Sequence, residues 1–381
     1  MKDNDYKKVI ASILKSKQDQ IFLYWKGRVA LYVILKALGV EKEDEIILPA
    51  FTCVVVPNAI LYLGAKPVYV DISPENYNIN IDLLEKAITT RTKVIICQNT
   101  FGLSSNVEQM IQIAKRHNLF TIEDCTHGFS GYYNGKPNGS YCDAAFYSTQ
   151  WNKPFSTGIG GFLVVNNPGL IKKVKQLESK KVKPALTNKC ILAFLLFFNR
   201  YFVNRYTYWP MVKIYRFLSK SNLILGSNQG GEISGIEMPK NYFKDISSVQ
   251  VNAGISHLSQ LEKVNKLRKK NAVDYTQFLK LQSKIFVKEN LFDNHLFLKY
   301  PLLVKNRKLF LMLAEKEKIT LGDWFLSPLH PVKGNLELWN FNSEFFPQGT
   351  GISKKIVNLP TDIEDNSKVL EFLTRNIDMI E

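Results

Sequence analysis

Lys93-Val-Ile-Ile-Cys-Gln98, then Val107-Glu-Gln-Met-Ile-Gln-Ile-Ala-Lys-Arg-His117, then Phe120-Thr-Ile-Glu-Asp-Cys125 form the run whose reading decides the fold class. The outer segments are short, β-branched and apolar, as strands buried on both faces are. The middle one repeats apolar residues every three to four positions, the spacing of a helix with one face on a core. Strand, helix, strand in succession predicts a parallel pair joined by a helical crossover. The texture continues outward: Glu45–Pro49, Pro67–Ile72, Ala144–Ser148 and Gly161–Val165 read as further buried strands, and Val29–Leu38 as another core-facing helix. The expectation is an α/β fold on a largely parallel sheet, with ligands at the carboxyl ends of the strands.

At 381 residues the chain exceeds what one hydrophobic core usually serves, so two domains sharing one site are expected. Gly226 to Gly235, rich in Gly, Ser and Asn, reads as the hinge, giving a large domain at 1–235 and a small one at 236–381. A long helix is expected from Ser247 to Asn271. Hydrophobic usage of 45% and charged usage of 22% are those of an ordinary globular protein, and no repeat suggests a solenoid. Met1 to Gln20 lacks the continuous apolar core of a secretory signal, so a cytoplasmic protein is expected. Cys53, Cys97, Cys125, Cys142 and Cys190 show no C-x-x-C pair and no matching His spacing, which argues against a metal site or a disulfide framework.

The charge is uneven. Lys172 to Lys220 holds twelve basic residues against the single acid Glu178, so +11 of the net +16 sits in one stretch. Within this insertion, at about 172–225, lie Cys190-Ile-Leu-Ala-Phe-Leu-Leu-Phe-Phe198 and the basic aromatic run from Asn199 to Trp209. Nine apolar residues are too few to span a bilayer as a helix. The segment can pack on the protein or a second copy, or lie in a membrane interface through 190–217. No helix-turn-helix, zinc or RNA-binding signature accompanies it, so nucleic acid is not an expected partner.

Three pieces carry chemistry. Ser148-Thr-Gln-Trp-Asn-Lys153 leads from a strand end into Gly158-Ile-Gly160-Gly161, placing one lysine in a glycine-rich turn. Glu123-Asp124 closes another strand. Gly27-Arg28 opens a helix whose free N–H groups suit a phosphate. An amine, a carboxylate and a phosphate cradle are what pyridoxal 5′-phosphate (PLP) requires: a Schiff-base lysine, an acid beside the pyridine nitrogen, and an anion site.

In this order the pieces resemble the DegT/DnrJ/StrS family of sugar aminotransferases. Gly27-Arg28-Val-Ala30-Leu31, Asp44-Glu-Ile-Ile-Leu-Pro49-Ala-Phe-Thr52, Gly64-Ala-Lys-Pro67-Val-Tyr-Val-Asp71, Glu123-Asp124-Cys125-Thr126-His127 and Ser148 with Lys153 carry the resemblance through much of the chain. It implies PLP-dependent transferase fold type I, with a mostly parallel seven-stranded sheet flanked by helices and a smaller α+β C-terminal domain. It further implies that Lys153 forms the Schiff base, Asp124 pairs with the pyridinium, His127 reaches the ring's O3′, and Ser148 and the Gly27-Arg28 backbone hold the phosphate. Asn241 resembles the residue that meets the phosphate of a partner subunit, so a homodimer is expected. His330, in Ser327-Pro-Leu-His330-Pro331, resembles a late segment bordering the substrate.

The sequence departs from the family pattern at three positions. Cys53 stands where an aromatic ring often stacks on the cofactor, leaving that role open or to Phe51. Ile159 replaces an acid, and Asn99 a histidine that would face substrate. The implied activity is transfer of an amino group, with glutamate as donor, to a nucleotide-linked keto sugar for cell-surface polysaccharide. The alternatives are a non-catalytic protein of the same fold and amination of a non-sugar ketone.

Overall fold

The computed structural model describes residues 2–381 apart from 105, 204–205, 208–209, 212–213 and 215–230. The expected insertion at 172–225 and hinge at 226–235 therefore lie partly outside the described residues. Seven strands form the main sheet: β1 (Ile21–Tyr24), β2 (Glu45–Pro49), β3 (Lys66–Val70), β4 (Thr92–Gln98), β5 (Phe120–Asp124), β6 (Ala144–Ser148) and β7 (Gly161–Val165). Their order is β1-β7-β6-β5-β4-β2-β3. The pairs from β6 across to β3 are parallel, while β7 runs antiparallel to both its neighbours. β1 had not been foreseen, because four apolar residues are too few to declare a period.

Helices α1 (Lys2–Leu14), α2 (Gly27–Ala37), α3 (Val107–Arg116), α4 (Pro168–Glu178) and α5 (Leu186–Phe202) belong to this half of the chain. Adjacent residues of each strand go to opposite faces. Ile46, Leu48, Val94, Ile96, Ile122 and Phe146 pack with α2 on one face. On the other, Ile47, Ile95 and Cys97 pack with α3, and Ala145, Tyr147 and Phe162 with α1. Burial on both faces explains why the strands read as continuous apolar runs.

Register then gathers the site. Gln98 pairs with Asp124, and Asp124 with Phe146, so the carboxyl ends of β4, β5 and β6 lie side by side. β7 begins with Gly161 opposite both Ser148 and Tyr24. The loop after β1, carrying Gly27, is thereby set beside the turn carrying Lys153. The approach is close: a Cβ on Gly27 would meet the Tyr147 carbonyl oxygen at 2.6 Å.

The later half adds α6 (Ser248–Leu258), α7 (Leu261–Leu281), β8 (Tyr300–Leu303), α8 (Arg307–Lys316), β9 (Ile356–Leu359) and α9 (Ser367–Arg375). The single helix expected over Ser247–Asn271 is thus two. The Ser259 hydroxyl donates to the Ser256 carbonyl at 2.8 Å, taking up a carbonyl at the break. Leu258 and Leu261 finish in the first core, whereas Ala272, Tyr275 and Leu279 reach a second core with Tyr300, Phe310, Val357 and Phe372.

Packing therefore changes hands after Leu261, later than the boundary expected at 235/236. Glycine-rich composition marks where a chain turns, which need not be where its core ends. The chain also returns, for Leu329 and Trp339 pack in the first core and Leu329–His330 pairs in parallel with Thr52–Cys53.

Candidate active site

A cleft of about 1580 Å³ opens at the carboxyl ends of the strands, and Gly27, Arg28, Cys53, Asp124, His127, Ser148, Lys153 and His330 all line it. The turn bearing Lys153 is tied from several sides. Trp151 N–H donates to Gly158 O at 3.0 Å, Thr149 N–H to Gly160 O at 2.9 Å, and Thr157 N–H to Thr149 O at 2.7 Å. Gln250 of α6 donates to the Ile159 carbonyl at 2.5 Å, and Arg268 of α7 to the Pro154 carbonyl at 3.1 Å. Gly158 has φ +79°, a conformation that suits glycine.

Electrostatics separates the titratable groups. Burial, reinforced by Arg28, pushes the Lys153 ammonium down from 10.5 to about 8, although Cys53 and Asp124 pull the other way. Burial raises the Asp124 carboxyl above its ordinary range, opposed by hydrogen bonds from Thr126 and by the charge of Lys153. Burial also holds His127 well below its usual value, with Lys153 adding to the effect, so the ring is neutral. Phe101 N–H donates to His127 Nδ1 at 3.2 Å, which leaves the proton on Nε2.

The aromatic partner of the cleft comes from the later half of the chain. Trp324 stacks on the His127 ring at 4.7 Å with planes 2° apart, and Lys153 Nζ lies 4.5 Å from its centroid. Arg307 holds the segment by donating to Asp323 O at 2.7 Å and Phe325 O at 3.3 Å, while Trp324 N–H donates to Asn358 Oδ1 at 2.9 Å. Phe51 is buried behind, edge-on to Phe325 at 4.8 Å, and does not line the cleft. Trp324 was missed although it stands six residues before the singled-out His330. One tryptophan in a loop carries no period.

At the phosphate end the Arg28 guanidinium is paired with Glu232 at 2.6 Å, both side chains buried. The Arg28 contribution to an anion site is therefore the helix N-terminus rather than its side-chain charge. Lys26, unremarked in the sequence, lines the cleft there, and burial with Arg28 alongside pushes its ammonium down to about 7. Tyr242 Oη donates to the Arg28 carbonyl at 3.1 Å and braces this turn.

Two expected site residues stand elsewhere. Asn99 is buried behind Asp124: its amide donates to Glu123 Oε1 at 3.0 Å, and its oxygen accepts from Ser104 Oγ at 2.6 Å. It braces the strand ends and does not line the cleft, which corrects its expected substrate contact. Asn241 is exposed, with φ 55°, and is not part of this chain's cleft. Cys53 lines the cleft opposite His330 in the two-residue pairing. Ile159 has a structural reason for not being an acid, because it is buried against Trp25 and Leu192 where α5 covers the turn.

These residues fit PLP. A lysine able to shed its proton, a carboxylate whose buried charge lacks a full counter-charge, and a helix N-terminus pressed against Ser148 occupy one cleft. His127 and Trp324 offer flat faces beside it.

Residues 25–191 match the model of the DegT/DnrJ/EryC1/StrS aminotransferase family. A GDP-perosamine synthase of Escherichia coli O157:H7 is 40% identical over 144 residues, which span 38% of this chain and only 40% of that relative. Among solved structures, a DegT DnrJ EryC1 StrS aminotransferase from Brucella abortus superposes with TM-score 0.75 at 20% identity, covering 98% of this chain and 89% of that one. A Bacillus subtilis protein, ntda, with bound cofactor PMP gives TM-score 0.75 at 22% identity over 99% of this chain and 77% of that one. The matched stretch, residues 25–191, holds Gly27, Asp124, Ser148 and Lys153, and through it the chain is similar to the DegT/DnrJ/EryC1/StrS aminotransferase family.

Proposed function

We propose that this chain is a PLP-dependent aminotransferase that moves an amino group from glutamate to a keto group on a nucleotide-linked sugar, for cell-surface glycan synthesis, as a homodimer. The observation that carries this reading is Lys153, with its pKa lowered to about 8, in one cleft with Asp124 and the N-terminus of α2. Bound PLP supplies an electron sink for the carbon that loses or gains the proton. Asp124 provides the negative charge that keeps the ring nitrogen protonated. The N–H groups of α2, the Ser148 hydroxyl and Lys26 hold the phosphate. The Lys153 amine, of near-neutral pKa, would take the proton from the donor carbon and pass it to the cofactor, and in the second half would move a proton from the cofactor to the acceptor carbon. His127 and Trp324, stacked on each other, would present one flat face to the ring and exclude water from that side. Lys333, at the cleft edge, suits the diphosphate of the acceptor. The exposed Asn241 is available to a second subunit.

The experiment is a spectral titration of the purified protein with PLP. Glutamate should bleach the visible band of the lysine-bound cofactor, and a nucleotide-linked keto sugar should restore it. Lys153→Ala should abolish both changes, a loss of at least ~10³-fold in rate. Bleaching that persists in Lys153→Ala overturns the mechanism. Restoration only by a keto compound without a nucleotide overturns the acceptor class.

A further inference from the structure

Helix α5 is apolar around most of its circumference, and one side of it is already committed. Leu192 and Leu196 pack on Trp25 and Ile159, while Ile191, Leu195 and Phe198 line the cleft. On the other side Leu186, Phe194, Phe197 and Tyr201 are 74%, 63%, 55% and 62% exposed. At 3.6 residues per turn these four fall within about 80° of arc. With aromatic rings of about 150–250 Å² each, they leave roughly 400 Å² of apolar surface in water. A patch of that size matches the largest that a typical monomer exposes, and such patches are often functional.

Charge identifies the occupant. Lys189 and Arg200 belong to α5 itself, and the stretch from Lys172 to Lys220 carries +11. A two-fold contact between copies would set this segment against itself and bring like charges together. An anionic bilayer satisfies both features, since rings enter the interfacial zone while Lys and Arg meet head-group phosphates. None of the described helices is long and apolar enough to cross a membrane, so any bilayer contact of the 17-residue α5 would run along the surface. We propose that α5 is a membrane-surface docking element that seats the mouth of the catalytic cleft against an anionic bilayer. Phe194 joins the two surfaces, because it lines the cleft and is exposed.

The test sediments the full-length protein, loaded with PLP, with vesicles of phosphatidylglycerol and phosphatidylcholine in equal parts, or of phosphatidylcholine alone. The protein should pellet with the anionic vesicles at low salt, and binding should fall about ten-fold or more with phosphatidylcholine alone or at high salt. The double variant Phe197→Asp with Tyr201→Asp should lose binding to a similar extent, with its mass by light scattering unchanged. Three results overturn the proposal: no binding to anionic vesicles at low salt, equal binding by the double variant, or a halved mass, which would make this face an interface between copies. If the double variant does not fold, the comparison of vesicle compositions with the unaltered protein decides alone. Vesicle binding is read without substrate, so its failure leaves the aminotransferase reading standing, and the reverse holds too.

Discussion

On one wall of the cleft, Asp124 and Ser148 sit at strand ends and Lys153 in a turn held by β6, β7, α6 and α7. On a second wall, Ile191, Leu195 and Phe198 project from α5, a helix attached through Leu192 and Leu196. The first wall is fixed by backbone register, which cannot slip without turning every strand residue to the wrong layer. The second is fixed by side-chain packing on a single helix, and can change without disturbing the sheet. In the proposed function, the reaction falls to the wall that cannot vary, and the choice of acceptor and place to the wall that can.

The largest effect that would break this division is Asp124→Asn. Asparagine keeps the shape and the hydrogen bond to Thr126 N–H but cannot carry the charge. The glutamate half-reaction should slow about 10²–10³-fold while binding of the acceptor changes little. Single-turnover bleaching with glutamate measures it, and an unchanged rate would show that the register-fixed wall does not set the chemistry.

Next in size is a pH dependence on the same wall. Burial lowers Lys153 from 10.5 to about 8, so at pH 7 roughly a tenth of it is the free amine. The rate of PLP capture by cofactor-free protein should rise about ten-fold per pH unit below 8 and level off above it. Lys26, pushed down to about 7, loses its charge over part of the same range. Phosphate affinity should therefore weaken as the capture rate climbs, and stopped-flow at several PLP concentrations separates the two. A capture rate still rising beyond pH 9 would mean that burial does not depress Lys153.

What the sequence disclosed follows the same line. Strands buried on both faces leave contiguous apolar runs, and β2, β6 and β7 are found with their expected ends. Lys153, Asp124, Ser148 and Gly27 could be singled out because they stand at strand ends and glycine turns, and the structure brings them to one cleft. Trp324 was not, since it reaches the cleft across the junction of the two cores, and no local spacing encodes that. Asn99 was misread for the related reason that a polar residue after a strand can face the cleft or brace it from behind, and only its bonds to Glu123 and Ser104 decide. Ile159 stood in the sequence only as a departure from the family pattern, and its burial against Trp25 and Leu192 under α5 is what the structure adds.

The smallest effect on chemistry, and the one that sharpens the comparison most, is Leu192→Ala. Leu192 is fully buried, and its Cδ1 lies 2.8 Å from where a Cβ on Gly158 would sit. Its truncation should cost about 2–4 kcal/mol. That cost falls on the contact between α5 and the Lys153 turn, so local opening of α5 should become easier by a factor of about 30 or more. Amide exchange should accelerate across 186–202 and stay unchanged in β4, β5 and β6, and the rate with glutamate should hold within about two-fold. The KM for the acceptor should rise, since the wall it meets has loosened. Were the glutamate rate to fall as far as in Asp124→Asn, the two walls would be one mechanical unit, and α5 would be part of the catalytic frame rather than an addition to it.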